Sequence, residues 1–164
     1  MANPLTPEQL LTLLAEAPRR LMAAAAAVSP ALLRAAPGPD EWSADDILAH
    51  LRACSDTWGG YIRRILAKDH PTFRAVNPRT WIDQTDYPDL AFHPSLRAYT
   101  AQRAELLSLL RSLPPAGWSR SATVTGVGKP LELTVQSYAD RLAVHERSHL
   151  KQIERTITAI ASRM

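Results

Sequence analysis

The residues of this sequence best suited to chemistry are three of its five histidines. The stretch VHERSHLKQ, residues 144–152, sets His145 and His149 four apart with Glu146 between them, an H-E-x-x-H pattern. On a helix, positions four apart differ by only about 40° around the axis and one turn along it, so both imidazoles reach a single ion. Val135, Tyr138, Leu142, Ile153, Thr156 and Ile160 continue the same stripe, which puts the two rings on the core-facing side. A second stripe, Ile47, His50, Cys54 and Tyr61, offers a third imidazole from another helix. Three buried imidazoles without partners are unfavourable, because each ring has a donor and an acceptor to satisfy. One shared divalent cation, zinc or nickel by the ligand type, meets that need and keeps positions open for a substrate. Separate hydrogen bonding of each ring in the core is the simpler alternative.

The H-E-x-x-H pattern read alone suggests a zinc peptidase. Such an enzyme needs a further His, Glu or Asp ligand downstream and a strand edge to align the peptide. After His149 the one carboxylate is Glu154, on the same helix and pointing elsewhere, and no edge strand is signalled upstream. The peptidase reading is therefore set aside.

Other residues near the histidines admit two readings each. Glu146, about 80° around the helix from the mean direction of the two histidines, could reach the site's edge as a base; flanked by Arg147, it also reads as a solvated charge. Cys54 could be a fourth ligand or a nucleophile, or a small buried hydrophobe. Asp46, one turn before His50, could accept a hydrogen bond from a ligand ring, or serve only in capping. Trp58 and Tyr61 suit a core or a pocket wall, and Arg52, Arg63 and Arg64 either a solvated face or an attraction for an acidic thiol.

The elements that must position these residues are marked by helix punctuation. Thr6-Pro7-Glu8-Gln9 is a capping box with proline at the first helical position, predicting a helix to about Val28 with a bend near Pro18. Ser29-Pro30 starts a short piece through Ala35, ended by PGPD at 37–40. Ser43, Asp46 and the apolar pair Trp42 and Ile47 mark the start of a helix to about Ala67. Residues 68–94 hold four prolines and no sustained period, and are expected to form a long connection. A three-four spacing from Leu96 to Leu113, with Arg103 the polar exception, predicts a third long helix over Ser95 to Leu113. Residues 121–133 alternate β-branched and turn residues as a small hairpin does, and Thr134 caps a last helix. Four substantial helices predict an all-α four-helix bundle, whose long second connection allows helices two and three to run parallel.

The composition bounds the function. A chain of 164 residues is expected to be a single domain, residues 1–164. One cysteine permits no internal disulfide and suits a reducing, cytoplasmic setting. No signal-like segment opens the sequence, and its longest apolar run, LMAAAAAV at 21–28, is too short for a bilayer. The net charge of +3 is scattered, with no basic tract or phosphate loop, so neither nucleic acid nor membrane is expected as a partner.

WSADDILAHLRACSDTW at 42–58, with a His eight residues after its Trp, and LAVHERSHLKQI at 142–153 together resemble the DinB/YfiT-like metal-binding bundle proteins. The resemblance implies an up-down-down-up four-helix bundle, usually dimeric, and nominates His50, His145 and His149 as ligands of one divalent metal. It further implies a small-molecule substrate. The activities it suggests are transfer of a low-molecular-weight thiol to a small electrophile, metal-dependent hydrolysis, or a non-catalytic metal-binding stress role.

Overall fold

The computed structural model describes residues 3–163. Four long helices dominate: α1 (Pro7–Ala25), α3 (Ala44–Ala67), α5 (Phe92–Arg111) and α7 (Val135–Ala161). Short helices α2 (Pro30–Arg34), α4 (Pro78–Trp81) and α6 (Pro115–Trp118) sit in the connections. Thr6, Ser43 and Thr134 each cap their helix through a reciprocal capping box, so the orphan N–H groups of three of the four long helices are satisfied locally. Pro18 is accommodated inside α1, which continues through it. Helix α5 starts three residues before the predicted Ser95, with no side-chain cap. Pro94 falls in its first turn, where a missing N–H breaks no helical bond.

Side-chain pairs at both ends of the bundle fix the helix directions. His50 of α3 meets His145 of α7, while Tyr61, further along α3, meets Tyr138, earlier on α7, so these helices are antiparallel. Gln136 bonds the Leu5 carbonyl and Glu154 pairs with Arg20, so α1 and α7 run parallel. Arg52 with Ser95 and Arg63 with Glu105 make α3 and α5 parallel. The order is thus up-down-down-up, as the long connection allowed.

That connection is more structured than its prolines suggest. Strand β1 (Thr72–Arg74) pairs in parallel with β2 (Ser121–Thr125), which pairs antiparallel with β3 (Leu131–Thr134), giving three strands where the sequence signals only the hairpin. Three residues are too short to show a period of two, so β1 carried no readable pattern. Gly126 and Gly128 turn the hairpin at φ +92°, a conformation natural to glycine. Beyond β1, Tyr61 on α3 holds the backbone of Val76 through its hydroxyl. Asp56 accepts hydrogen bonds from Trp81 and Tyr87. These anchors pin α4 against α3.

The core is in two parts. One cluster gathers Leu10, Ile62, Leu107 and Leu142 with the sheet residues Ala122 and Val124; the other gathers Leu21, Ile47, Leu51, Phe92 and Ile153. Each fully buried aliphatic side chain contributes about 1.5–3 kcal/mol. Every long helix passes from one cluster to the other, and the polar side chains Arg103, His145 and Glu146 fall at that change-over. Among the described residues no helix is long and apolar enough to cross a membrane.

Candidate metal centre

The capping box at Ser43 sets the rotation at which α3 enters the bundle, and His50, two turns in, is 7% exposed against α7. His145 and His149 are half-buried on the facing side of α7. The fully buried line of α7 runs through Ala139, Leu142, Ala143, Glu146, Leu150 and Ile153, so the two histidines flank the core rather than sit at its centre. This corrects the apolar stripe read from the sequence by a fraction of a turn.

The three rings converge. His145 Nε2 lies 3.2 Å from His50 Nε2 and 3.1 Å from His149 Nε2, and one nitrogen from each ring falls within 4.8 Å of the others. Imidazole nitrogens around zinc at about 2.0–2.1 Å are about 2.9–3.4 Å apart, from octahedral to tetrahedral geometry. The two pairs that include His145 therefore have the spacing of ligands to one cation. Gln152 Oε1, 2.7 Å from His149 Nδ1, accepts a hydrogen bond from that N–H and leaves the lone pair on Nε2, the nitrogen 3.1 Å from His145 Nε2. Burial, then His149 and then Arg79, lowers the His50 pKa to about 4. Burial, then His149, His50 and Arg79, lowers His145 likewise to about 4. Both rings are neutral at pH 7, and neutral imidazole is the form that donates a lone pair to a metal.

Indole rings wall the trio. Trp42, placed at the α3 entrance beside the apolar cluster that holds Ile47, has its ring 5.2 Å from that of His50 and 6.4 Å from that of His149. Trp58 meets His145 edge-on at 5.0 Å. His145 Nδ1 is buried and has no hydrogen-bond partner among the described residues, so packing against Trp58 orients this ring. A cavity of about 520 Å³ opens beside His149, and Trp42, Arg79, Gln152 and Arg155 line it.

The remaining candidates divide sharply. Cys54 Sγ is 3.6 Å from His50 Nε2 but stands outside the group of mutually close ligand atoms. Burial, then the Glu146 charge, pushes its thiol up to about 12, so it is a protonated thiol beneath the trio. Glu146 faces away from the histidines and is only 1% exposed, which overturns its reading as a solvated charge. Its Oε1 accepts from Arg103 Nη1 at 2.9 Å and its Oε2 from the Tyr99 hydroxyl at 2.6 Å and from Arg103 Nη2. Both oxygens are engaged, so the carboxylate is not a free base at the site's edge. Arg103, the polar exception on the α5 stripe, was the signal for this pair. Asp46 is exposed and bonds the Ser43 N–H, serving the cap and not His50. Arg52 lies over Tyr87, Arg64 over Phe73, and Arg63 reaches Glu105, so none of the three serves the cavity. Gln152 and Arg79 escaped the sequence reading: nothing marks a glutamine three residues past a histidine, and Arg79 lies in a segment without periodicity.

A long-connection bundle with an HxxxH pair facing a histidine from a second helix defines a class, and comparison with known families agrees. The model of the DinB superfamily matches residues 13–153, and the chain belongs to that superfamily. Among solved structures it is similar to YfiT from Bacillus subtilis, described as a probable metal-dependent hydrolase with an unusual four-helix bundle topology. The two share 18% identity and a TM-score of 0.73, over 100% of this chain and 92% of that one. No curated protein matches the sequence.

Proposed function

We propose that His50, His145 and His149 hold one divalent ion, zinc or nickel, and that the protein is a metal-dependent enzyme transferring a low-molecular-weight thiol to a small electrophile. The observation that carries this reading is the convergence of three ring nitrogens at 3.1 and 3.2 Å beside an open cavity. When bound, such an ion supplies a Lewis acid that keeps a thiol ionised at neutral pH. The protein's own residues do the rest. Burial keeps His50 and His145 neutral, Gln152 fixes the tautomer of His149, and Trp42 and Trp58 pack against the rings of His50 and His145. Cys54, held protonated by its surroundings, is not the nucleophile in this scheme. Hydrolysis is the second reading, favoured by the description of YfiT; water would then take the thiol's place.

The test is release of a chromophoric leaving group by zinc-loaded protein with and without added thiols. Thiol-dependent release that disappears in His149→Ala supports S-transfer, and thiol-independent release that disappears in the same variant supports hydrolysis. Turnover unchanged by His149→Ala contradicts both. Metal-dependent stabilisation without turnover on any thiol or ester favours a purely structural ion.

A further inference from the structure

The cavity beside His149 carries a feature that the metal trio does not use. The chain's long connection caps α4 with Asn77 and ties Trp81 to Asp56 of α3, and this brings Arg79 to the cavity wall. Its guanidinium carbon lies 5.7 Å from the centre of the Trp42 ring, which is tilted against His50 and stacked with His149. Among the described residues Arg79 has no carboxylate within 4.0 Å and no side-chain hydrogen bond, although ion pairs form at Arg20, Arg34, Arg63 and Arg103. Arg155, also without an ion pair, faces the same space from α7. Of the two acidic residues there, Glu41 is turned back on its own loop: a Cβ at Gly38 would lie 2.5 Å from Glu41 Oε2. Asp40 remains as the outer acid of the cavity.

A planar guanidinium beside an indole ring, with its N–H fork unspent at a cavity wall, is matched by a carboxylate, which it binds in two parallel hydrogen bonds. We infer that Arg79, supported by Arg155, is the specificity determinant of this site and selects small ligands that carry a carboxylate at the end opposite the group facing His149. This rests on the metal reading above and adds the ligand's class, a carboxylate-bearing thiol. The volume of about 520 Å³ admits such a molecule together with a second small reactant.

The experiment titrates two thiols of similar length into zinc-loaded protein by calorimetry at pH 7: 3-mercaptopropionate, with a carboxylate, and cysteamine, with an ammonium. Wild type is expected to bind 3-mercaptopropionate at least about tenfold more tightly, the size of one charge-assisted pair. In Arg79→Gln the preference is expected to vanish while zinc content by elemental analysis stays at the wild-type level. Equal affinities in wild type, no binding of either thiol, or a preference that survives in Arg79→Gln would overturn the inference. Repeating the titration after chelation separates the two readings. A protein that takes up no zinc contradicts the metal centre, whereas the change in the affinity ratio of the two thiols between wild type and Arg79→Gln, with or without metal, reports on Arg79.

Discussion

Neighbouring residues of one helix, His145 and Glu146, enter two polar environments of opposite character. Glu146 points into the bundle, where Arg103 and Tyr99 use both of its oxygens, and Arg103 spends further donors on the Leu14 carbonyl and Ser55. That cluster is closed. His145 points the other way, to two more ring nitrogens, one of them on His149 at the wall of an open cavity, and among the described residues its Nδ1 has no partner. That cluster is open, and under the proposed function a cation would complete it. Closed polar clusters hold a fold in register, and open ones bind. The step of about 100° between consecutive helix positions lets one sequence motif do both.

The contrast is broken most forcefully at the closed cluster. Glu146→Ala leaves the Arg103 charge buried without a partner and is expected to lower stability by about 3–5 kcal/mol, read from chemical denaturation of chelated protein. Replacing both partners, Arg103→Met with Glu146→Leu, should recover most of that loss, because no orphaned charge then remains. Equal losses in the single and double variants would show that the pair's charge complementarity is irrelevant.

At the open cluster the expected effects are on ligation. Zinc at 100 times its dissociation constant should stabilise wild type by about 2.7 kcal/mol and His145→Ala hardly at all, measured as a shift in denaturation midpoint. Gln152→Ala should weaken zinc binding by about 10- to 100-fold with little change in metal-free stability, since it removes only the group that fixes the His149 tautomer. A smaller effect separates the two clusters by pH. In chelated protein, His50 and His145 have folded pKa values near 4, below the unfolded value near 6.5. The unfolded chain therefore binds protons first. Stability from these rings is fully present above about pH 6.5 and is lost as pH falls towards 4. His145→Gln should flatten the denaturation midpoint across that window; an unchanged slope would show that the ring is not held neutral by its surroundings.

The sequence carried the long elements well, for physical reasons. Thr6, Ser43 and Thr134 announce helix starts because a hydroxyl three residues before its target N–H is a local requirement, independent of tertiary context. The His145–His149 pair was legible because a four-residue spacing on one helix is enough to bring two rings together, and His50 because it falls on the core-facing stripe of a second helix. What failed was anything depending on a fraction of a turn or on a distant segment. Glu146 read as a surface charge because its partner, Arg103, is on another helix and the two are joined only in the fold. Strand β1 and Arg79 lie in the proline-rich connection, where position is set by anchors such as Tyr61 and Asp56 and not by local periodicity.

The most direct test of the metal centre is calorimetric titration of zinc into untagged, chelator-stripped protein, paired with His50→Ala. Uptake of one ion per chain, with affinity lowered more than about 100-fold in the variant, is predicted, since a lost ligand should exceed the effect of a lost supporting group. Binding that is unchanged when the α3 ring is removed, or no binding in wild type, would contradict a site built from two helices.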